Sequence, residues 1–168
     1  GWQIIDRFSE DIDIVINKGI LGFDGEKSPE QAPTPSQEKK RLKRLKKASR
    51  QYIIDNLEPE LRAAIKAEID SDHPWQLEED LEDPDRQTLL FTYPTAFPDA
   101  DSYVKRIVKI EMGARSDTEP IEDIVVTPYI SDTFPDLLSH DRIPVRAVAP
   151  KRTFWEKAML LQEETFRP

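Results

Sequence analysis

Two aspartates two positions apart carry the clearest chemical signal in the chain. In Ser9-Glu10-Asp11-Ile12-Asp13-Ile14-Val15-Ile16 the acids open an apolar run that reads as a β-strand. A strand period of two puts Asp11 and Asp13 on one face, roughly 6–7 Å apart at Cα. Two carboxylates aimed at one point suit a hard cation such as Mg²⁺ or Mn²⁺, which takes one or two protein carboxylates and fills its shell with water and substrate phosphates. A metal held there neutralises phosphate charge and orients an attacking oxygen. The plain alternative is an acidic loop, because Asp-x-Asp is common in such loops. Ile12, Ile14 and Ile16 favour the metal, since aspartates beside them on a buried strand would be costly to desolvate without a cation or hydrogen-bond partners. Glu111, in Ile107-Val108-Lys109-Ile110-Glu111-Met112, is flanked by apolar residues much as Asp13 is, and is a candidate third acid. Its alternative is a solvent-facing residue beside Lys109 on a half-buried strand.

These acids need strands to hold them. Thr88 to Tyr93, Tyr103 to Met112, Asp123 to Ile130 and Ile143 to Ala149 are β-branched or aromatic runs bounded by Pro, Asp and Gly, and predict four further strands. Alternation in the second of them places Ile107, Lys109 and Glu111 on one face, and Val108, Ile110 and Met112 on the other. Between the first strand and the rest lies a different kind of sequence. Gly25 to Gln37, with Pro29, Pro33 and Pro35, reads as a mobile linker. Ser36 is placed to cap the helix that follows. In that helix Leu42, Leu45, Tyr52, Ile53 and Leu57 make a narrow apolar stripe that Glu58-Pro59 interrupts. A second helix is expected from Pro59 to about Asp70, the two forming a hairpin. Asp70 to Asp85 reads as an irregular acidic segment. Near the end, Thr153 with Glu156 three residues on reads as the capping box of a last helix. The expected fold is α/β (α+β), a mixed sheet with flanking helices, with residues 1–23 and 87–168 as core and residues 24–86 as linker plus helical insertion in one domain.

Composition sets outer bounds. The chain has 168 residues, 14 Pro and no Cys, and carries 24 Lys+Arg against 33 Asp+Glu for a net charge of −9. That length is about one domain. The absence of cysteine removes disulfides, thiolate zinc sites and cysteine nucleophiles. No run approaches the ~20 apolar residues of a membrane span. No secretory leader is visible either, and a cytoplasmic setting is expected. The acidity is not uniform: Lys39, Lys40, Arg41, Lys43, Arg44, Lys46, Lys47 and Arg50 put eight of the 24 basic residues in twelve positions. Lys43, Arg44, Lys46 and Lys47 are candidate nucleic-acid contacts, the alternative being a solvated face or one paired with the acids from Glu78 to Asp85. His73 and His140 are isolated in acidic segments and read as surface residues.

An hDhDh strand edge followed by hEh on a later strand is the skeleton of the nucleotidyltransferase fold. The blocks Arg7-Phe8-Ser9-Glu10-Asp11-Ile12-Asp13, Val108-Lys109-Ile110-Glu111-Met112-Gly113-Ala114-Arg115-Ser116, Thr127-Pro128-Tyr129-Ile130 and Arg152-Thr153-Phe154-Trp155-Glu156-Lys157-Ala158 occur in this order across nearly the whole chain. With them the sequence resembles the AbiEii/AbiGii nucleotidyltransferase-like toxin family. The resemblance implies a polymerase-β-like nucleotidyltransferase acting as the toxin of a toxin–antitoxin, abortive-infection pair. It implies a nucleoside triphosphate substrate, a cognate antitoxin and, by analogy with relatives that extend tRNA ends, an RNA acceptor. Carried over residue by residue, Asp11 and Asp13 would bind the metal, Glu111 would be a third acid, and Lys157 would neutralise triphosphate charge. Arg7, Ser9 and Arg152 would be nucleotide contacts, the two arginines alternatively partners of the acids. The family's Gly-Gly/Ser motif, expected before Arg7, and its C-terminal helical region with an Asp are not in this sequence. The chain is therefore expected to be an excerpt with part of its nucleotide site missing.

Other chemistries fit less of the sequence. Asp11-Ile12-Asp13-Ile14-Val15 also matches the DxDx(T/V) pattern of haloacid-dehalogenase-like phosphatases, with Asp11 as nucleophile. There the motif follows an apolar run; here Arg7-Phe8-Ser9-Glu10 precedes it. A glycosyltransferase DxD usually needs a nucleotide-binding half for which no sequence is seen. A non-enzymatic RNA-binding or interaction module built on the basic helix is the remaining alternative.

Overall fold

The computed structural model describes residues 11–69, 72–95, 105–138 and 140–165, with the side chains of 163 and 164 left aside. The fold is mixed α/β, as the sequence predicts, and falls into two compact units, one within Phe8–Asp117 and one holding the described residues from Thr118 on.

In the first unit the chain runs through strand β1 (Asp11–Val15), helix α1 (Pro35–Tyr52), helix α2 (Glu58–Glu68) and strands β2 (Gln76–Glu79), β3 (Thr88–Thr92) and β4 (Ile107–Gly113). The strands form one mixed sheet in the order β1-β4-β3-β2, with β1 parallel to β4 and the other neighbours antiparallel. Alternation in β4 falls as expected: Ile110 and Met112 are buried and Glu111 is exposed. Those two join Ile16, Leu89, Leu77 and Ala114 from the sheet side and Leu45 and Ile53 from the helices in one core cluster. The opposite sheet face carries the acids.

The insertion departs from its sequence reading in four places. Gly25–Gln37 is not a loose linker. It makes two 3₁₀ turns, Gly25–Lys27 and Pro29–Gln31, with Ser28 and Pro29 buried. Arg41 of α1 holds it down, donating to the carbonyls of Glu26 at 2.5 Å and Ser28 at 2.7 Å. The helix cap is Thr34, whose Oγ1 accepts from the Gln37 amide at 3.3 Å, and not Ser36. Pro35 fixes this, because its locked φ and missing N–H suit the first helical position and leave the residue before it as cap.

Glu58-Pro59 does not separate two arms of a hairpin. Ile53–Leu57 forms a π-helical turn, and its flanking residues Tyr52 and Glu58 are both right-handed helical, so α1 runs on into α2. Packing explains the turn. In an unbroken α-helix Leu61 and Ile65 would lie about 160° and 200° around the axis from Leu45, on its far side; a π turn takes out about one residue, or 100°, of phase. Leu57, Leu61 and Ile65 consequently pack on the same core as Leu45 and Ile53. The fourth departure is β2, a strand inside the segment read as irregular and acidic. Leu77 is its one buried side chain, and pairing with β3 supplies what its composition hides.

The second unit contains β5 (Ile121–Val126) antiparallel to β6 (Ile143–Val148), the short helix α3 (Ile130–Thr133) and helix α4 (Pro150–Thr165). Thr153 does not cap α4. The helix opens at Pro150, and the amides of Arg152 and Thr153 already donate to the Ala149 carbonyl at 2.9 and 3.2 Å. Glu156 pairs with Arg152 at 2.9 Å instead of turning back to a cap. Among the described residues no helix is long and apolar enough to cross a membrane.

Candidate active site

Parallel pairing of β1 with β4 brings the predicted acids together. Asp11 stands opposite Lys109 and Asp13 opposite Glu111, while on the other side of β4 Thr88 stands opposite Glu111. Residues paired in register project from the same sheet face. Asp11, Asp13, Lys109 and Glu111 therefore share the face that points away from α1 and α2. Asp11 and Asp13 do not lie on a buried strand, as Ile12, Ile14 and Ile16 had suggested. Both are exposed, and Ile12 and Ile14 are 50% and 42% exposed, because β1 is the end strand among the described residues and only Ile16 beyond it enters the core. What sets the acids in place is strand register, not desolvation.

Lys109 sits among them. Its Nζ lies 2.9 Å from a Glu111 oxygen and 3.9 Å from Asp80 Oδ2. The hydrogen bond to Glu111, with the charges of Glu111, Asp80 and Asp11, raises the lysine pKa. The ammonium offsets part of the repulsion that carboxylates on one face exert on each other. Asp80 is a residue the sequence reading passed over. It is buried, its Oδ1 accepts from the Glu82 amide at 2.9 Å, and its own amide donates to the Thr88 carbonyl at 2.9 Å. Alternation from Gln76 through Glu78 would have put Asp80 on the acidic face, had β2 been recognised as a strand.

The donor set fits a hard divalent cation. Exposed carboxylate oxygens are what Mg²⁺ takes, and one or two suffice when substrate phosphates and water complete the shell. Among the described residues no three His, Cys, Asp or Glu side chains converge into a ready metal cage. Asp11 and Asp13 are thus a pair, with Glu111 in register beside them and held by Lys109.

The other predicted residues lie elsewhere. Arg7 and Ser9 fall outside the described residues. Lys157 is exposed on α4, in the second unit. Arg152 is engaged within that unit: its Nε donates to Glu156 at 2.9 Å and its Nη1 to the Glu119 carbonyl. Glu156, its acidic partner there, belongs to its own helix and is not one of the acids singled out in the sequence. On α1, Lys46 pairs with Asp85 at 2.5 Å and Arg50 with Glu79 at 3.2 Å. The acidic stretch does answer part of the basic helix. Lys43, Arg44 and Lys47 are exposed and have no acidic partner among the described residues.

Comparison with curated proteins, and separately with solved structures, found no match. The profile of the family described as "Nucleotidyl transferase AbiEii toxin, Type IV TA system" matches residues 1–167, nearly the whole chain. With its paired aspartates and in-register glutamate on one sheet face, the chain belongs to the AbiEii nucleotidyl transferase toxin family of type IV toxin–antitoxin systems.

Proposed function

We propose that this protein transfers a nucleotide from a nucleoside triphosphate to an acceptor, with tRNA or another RNA as the acceptor class, in a reaction that depends on a divalent metal. Family membership supplies the class of activity and implies an antitoxin partner. The observation that carries the finer reading is the register Asp11/Lys109 and Asp13/Glu111, which gathers hard oxygen donors on the open face of the sheet.

Asp11 and Asp13 would hold Mg²⁺ or Mn²⁺, with Glu111 beside them. The ion, when bound, neutralises phosphate charge and orients the attacking oxygen. Lys109 keeps the Glu111 carboxylate at 2.9 Å, so that this group stays on the face where an acceptor hydroxyl must lose its proton. Lys157 keeps the role that the family resemblance implies for it, a cation that counters charge on the transferring phosphate.

The test pairs growth arrest with chemistry. Asp11→Asn and Asp13→Asn, expressed without the antitoxin, should each relieve toxicity. In vitro each should lower incorporation of labelled nucleotide into RNA by about a hundredfold or more, the scale of losing one electrostatic element of a transfer site. Full toxicity in the double variant would leave the enzyme reading untenable and favour the RNA-binding module.

A further inference from the structure

A cavity of about 510 Å³ opens on the helix-bearing side of the first unit, between α1 and the end of β4. Its walls carry Lys39, Lys43, Lys46 and Arg115, with Asp85 as the one carboxylate among the described residues. Lys46 is neutralised by Asp85, but Lys39, Lys43 and Arg115 have no acidic partner among the described residues. In a chain of net charge −9 a concentration of unanswered cations around a concavity is not an average outcome. Like charges so arranged repel, and a bound anion relieves them.

A second observation is independent of charge. Ser49 lines the same cavity, is fully buried, and its Oγ has no hydrogen-bond partner among the described residues. A buried hydroxyl without a partner is uncommon and destabilising. A ligand oxygen that reaches it through a small shift of the cavity wall would satisfy it.

We propose that this cavity binds a phosphate group, with Lys39, Lys43 and Arg115 supplying charge and the Ser49 hydroxyl donating a hydrogen bond. An extended RNA backbone is the source that fits best. Lys39, Lys43 and Lys46 span about 10 Å along one side of α1, and Lys40, Arg44 and Lys47 continue the cationic surface on the adjoining stripe, which a polyanion can follow and a single phosphate cannot. The site is distinct from the transfer chemistry. Leu45 and Ala114, which also line the cavity, belong to the core between α1 and the sheet, whereas Asp11, Asp13 and Glu111 occupy the opposite sheet face.

The experiment uses the full chain and two probes, a fluorescein-labelled single-stranded RNA 20-mer followed by anisotropy and inorganic triphosphate followed by calorimetry. Lys39→Gln/Lys43→Gln/Arg115→Gln changes only exposed residues. It should weaken RNA binding at least tenfold and lower the salt slope by about 2, as expected for three lost contacts to a single strand. Ser49→Ala should weaken it about tenfold, the scale of one hydrogen bond to a charged group, with the salt slope unchanged. Triphosphate binding with the same sensitivity to both variants, and no RNA binding, would keep the phosphate site and assign it to a free phosphate compound. An unchanged Ser49→Ala variant, or a triple variant that binds like the parent, would overturn the proposal by reducing the surface to solvated charge. Lys66→Gln, an exposed lysine of α2 outside the cavity, serves as the control and should bind like the parent; both binding assays run without divalent metal, so failure of the transfer reading and failure of this one are separable.

Discussion

Asp83 organises the turn between β2 and β3, and removing its carboxylate tests how that turn supports both faces of the sheet. Its Oδ1 accepts from the Asp85 amide at 2.9 Å, and its Oδ2 accepts from the Gln87 amide at 2.8 Å and the Thr88 hydroxyl at 2.9 Å. Thr88 is buried and pairs with Glu111; Gln87 donates through its side chain to the Lys46 carbonyl at 3.0 Å. Arg86, between Asp85 and Gln87, holds a left-handed φ of 53°, a conformation a non-glycine residue keeps only when its surroundings impose it. Hydrogen bonds to a charged acceptor are worth about 1.5–3 kcal/mol each, but the Asp85 amide is near water and recovers a partner when the carboxylate is lost. Counting chiefly the other two and allowing for relaxation of the turn, Asp83→Ala should cost about 2–3 kcal/mol. In a chain of this size that lowers Tm by roughly 5–10 °C. Asp83→Asn keeps one acceptor oxygen and should lose about half as much.

The pH dependence separates this account from a general packing defect. Burial alone would raise the Asp83 pKa, but the amides of Gln87 and Asp85 and the Thr88 hydroxyl outweigh it and hold the group below its usual 3.8. For an acid with a depressed folded pKa the stabilisation is complete above the unfolded value and is lost as pH falls through the folded one. The gap between parent and Asp83→Asn in urea unfolding should be constant from pH 7 to about pH 5 and narrow steadily below about pH 4. A gap that is absent at pH 7, or unchanged down to pH 3, would refute the hydrogen-bond argument.

Two further outcomes are expected. Thr34→Ala should cost about 1 kcal/mol of stability by thermal unfolding, the usual value of a helix cap, while Ser36→Ala should change it by a few tenths at most; the reverse result would restore the sequence-based cap. Lys18 pairs with Glu30 at 2.8 Å and also with Asp117, and although burial lowers its pKa, hydrogen bonds to those acids raise it overall. Since its folded pKa is raised, the stabilisation is present below the unfolded value and fades as pH rises through the folded one. Lys18→Met should be about 1 kcal/mol less stable than the parent at pH 8, with the difference shrinking above pH 10.5 in chemical denaturation; a constant difference would assign the effect to packing.

How far the residues alone reach depends on whether the determining interaction is local. Alternation in Ile107–Met112 foretold the buried and exposed sides of β4, because a strand next to a core must place its apolar residues by period two. The coincidence of Asp13 with Glu111 was foreseeable only as a family pattern, since register between β1 and β4 is a long-range pairing across almost a hundred residues. Burial of β1 was overestimated for the same reason: an apolar run does not say whether its strand lies at the end or the middle of a sheet. β2 escaped notice because Glu78, Glu79 and Asp80 mask a single buried leucine. Thr34 and Ser36 are equally good caps by side chain, and the intervening proline decides between them. Ser49 drew no notice and Arg115 stood only as one member of a family block, since what makes them interesting is a shared cavity that no spacing rule announces.

The π turn at Ile53–Leu57 has a consequence for how this stretch can vary. Most surface segments absorb an added or lost residue, but here the number of residues sets the rotational phase of everything downstream. Deleting one residue from the turn would give regular α-helical geometry and leave Leu61 and Ile65 facing the core, whereas a deletion elsewhere in α1 or α2 would turn the residues on its two sides about 100° out of phase. Adding one to the turn would likewise carry Leu61 and Ile65 about 100° off the core. Side chains in the turn, Ile54 and Asn56 among them, are exposed and free to change. Relatives are thus expected to differ in composition here and to carry the turn at this length or one residue shorter, and a single-residue deletion scan from Pro35 to Glu68 should show its smallest loss of folded protein between Ile53 and Leu57.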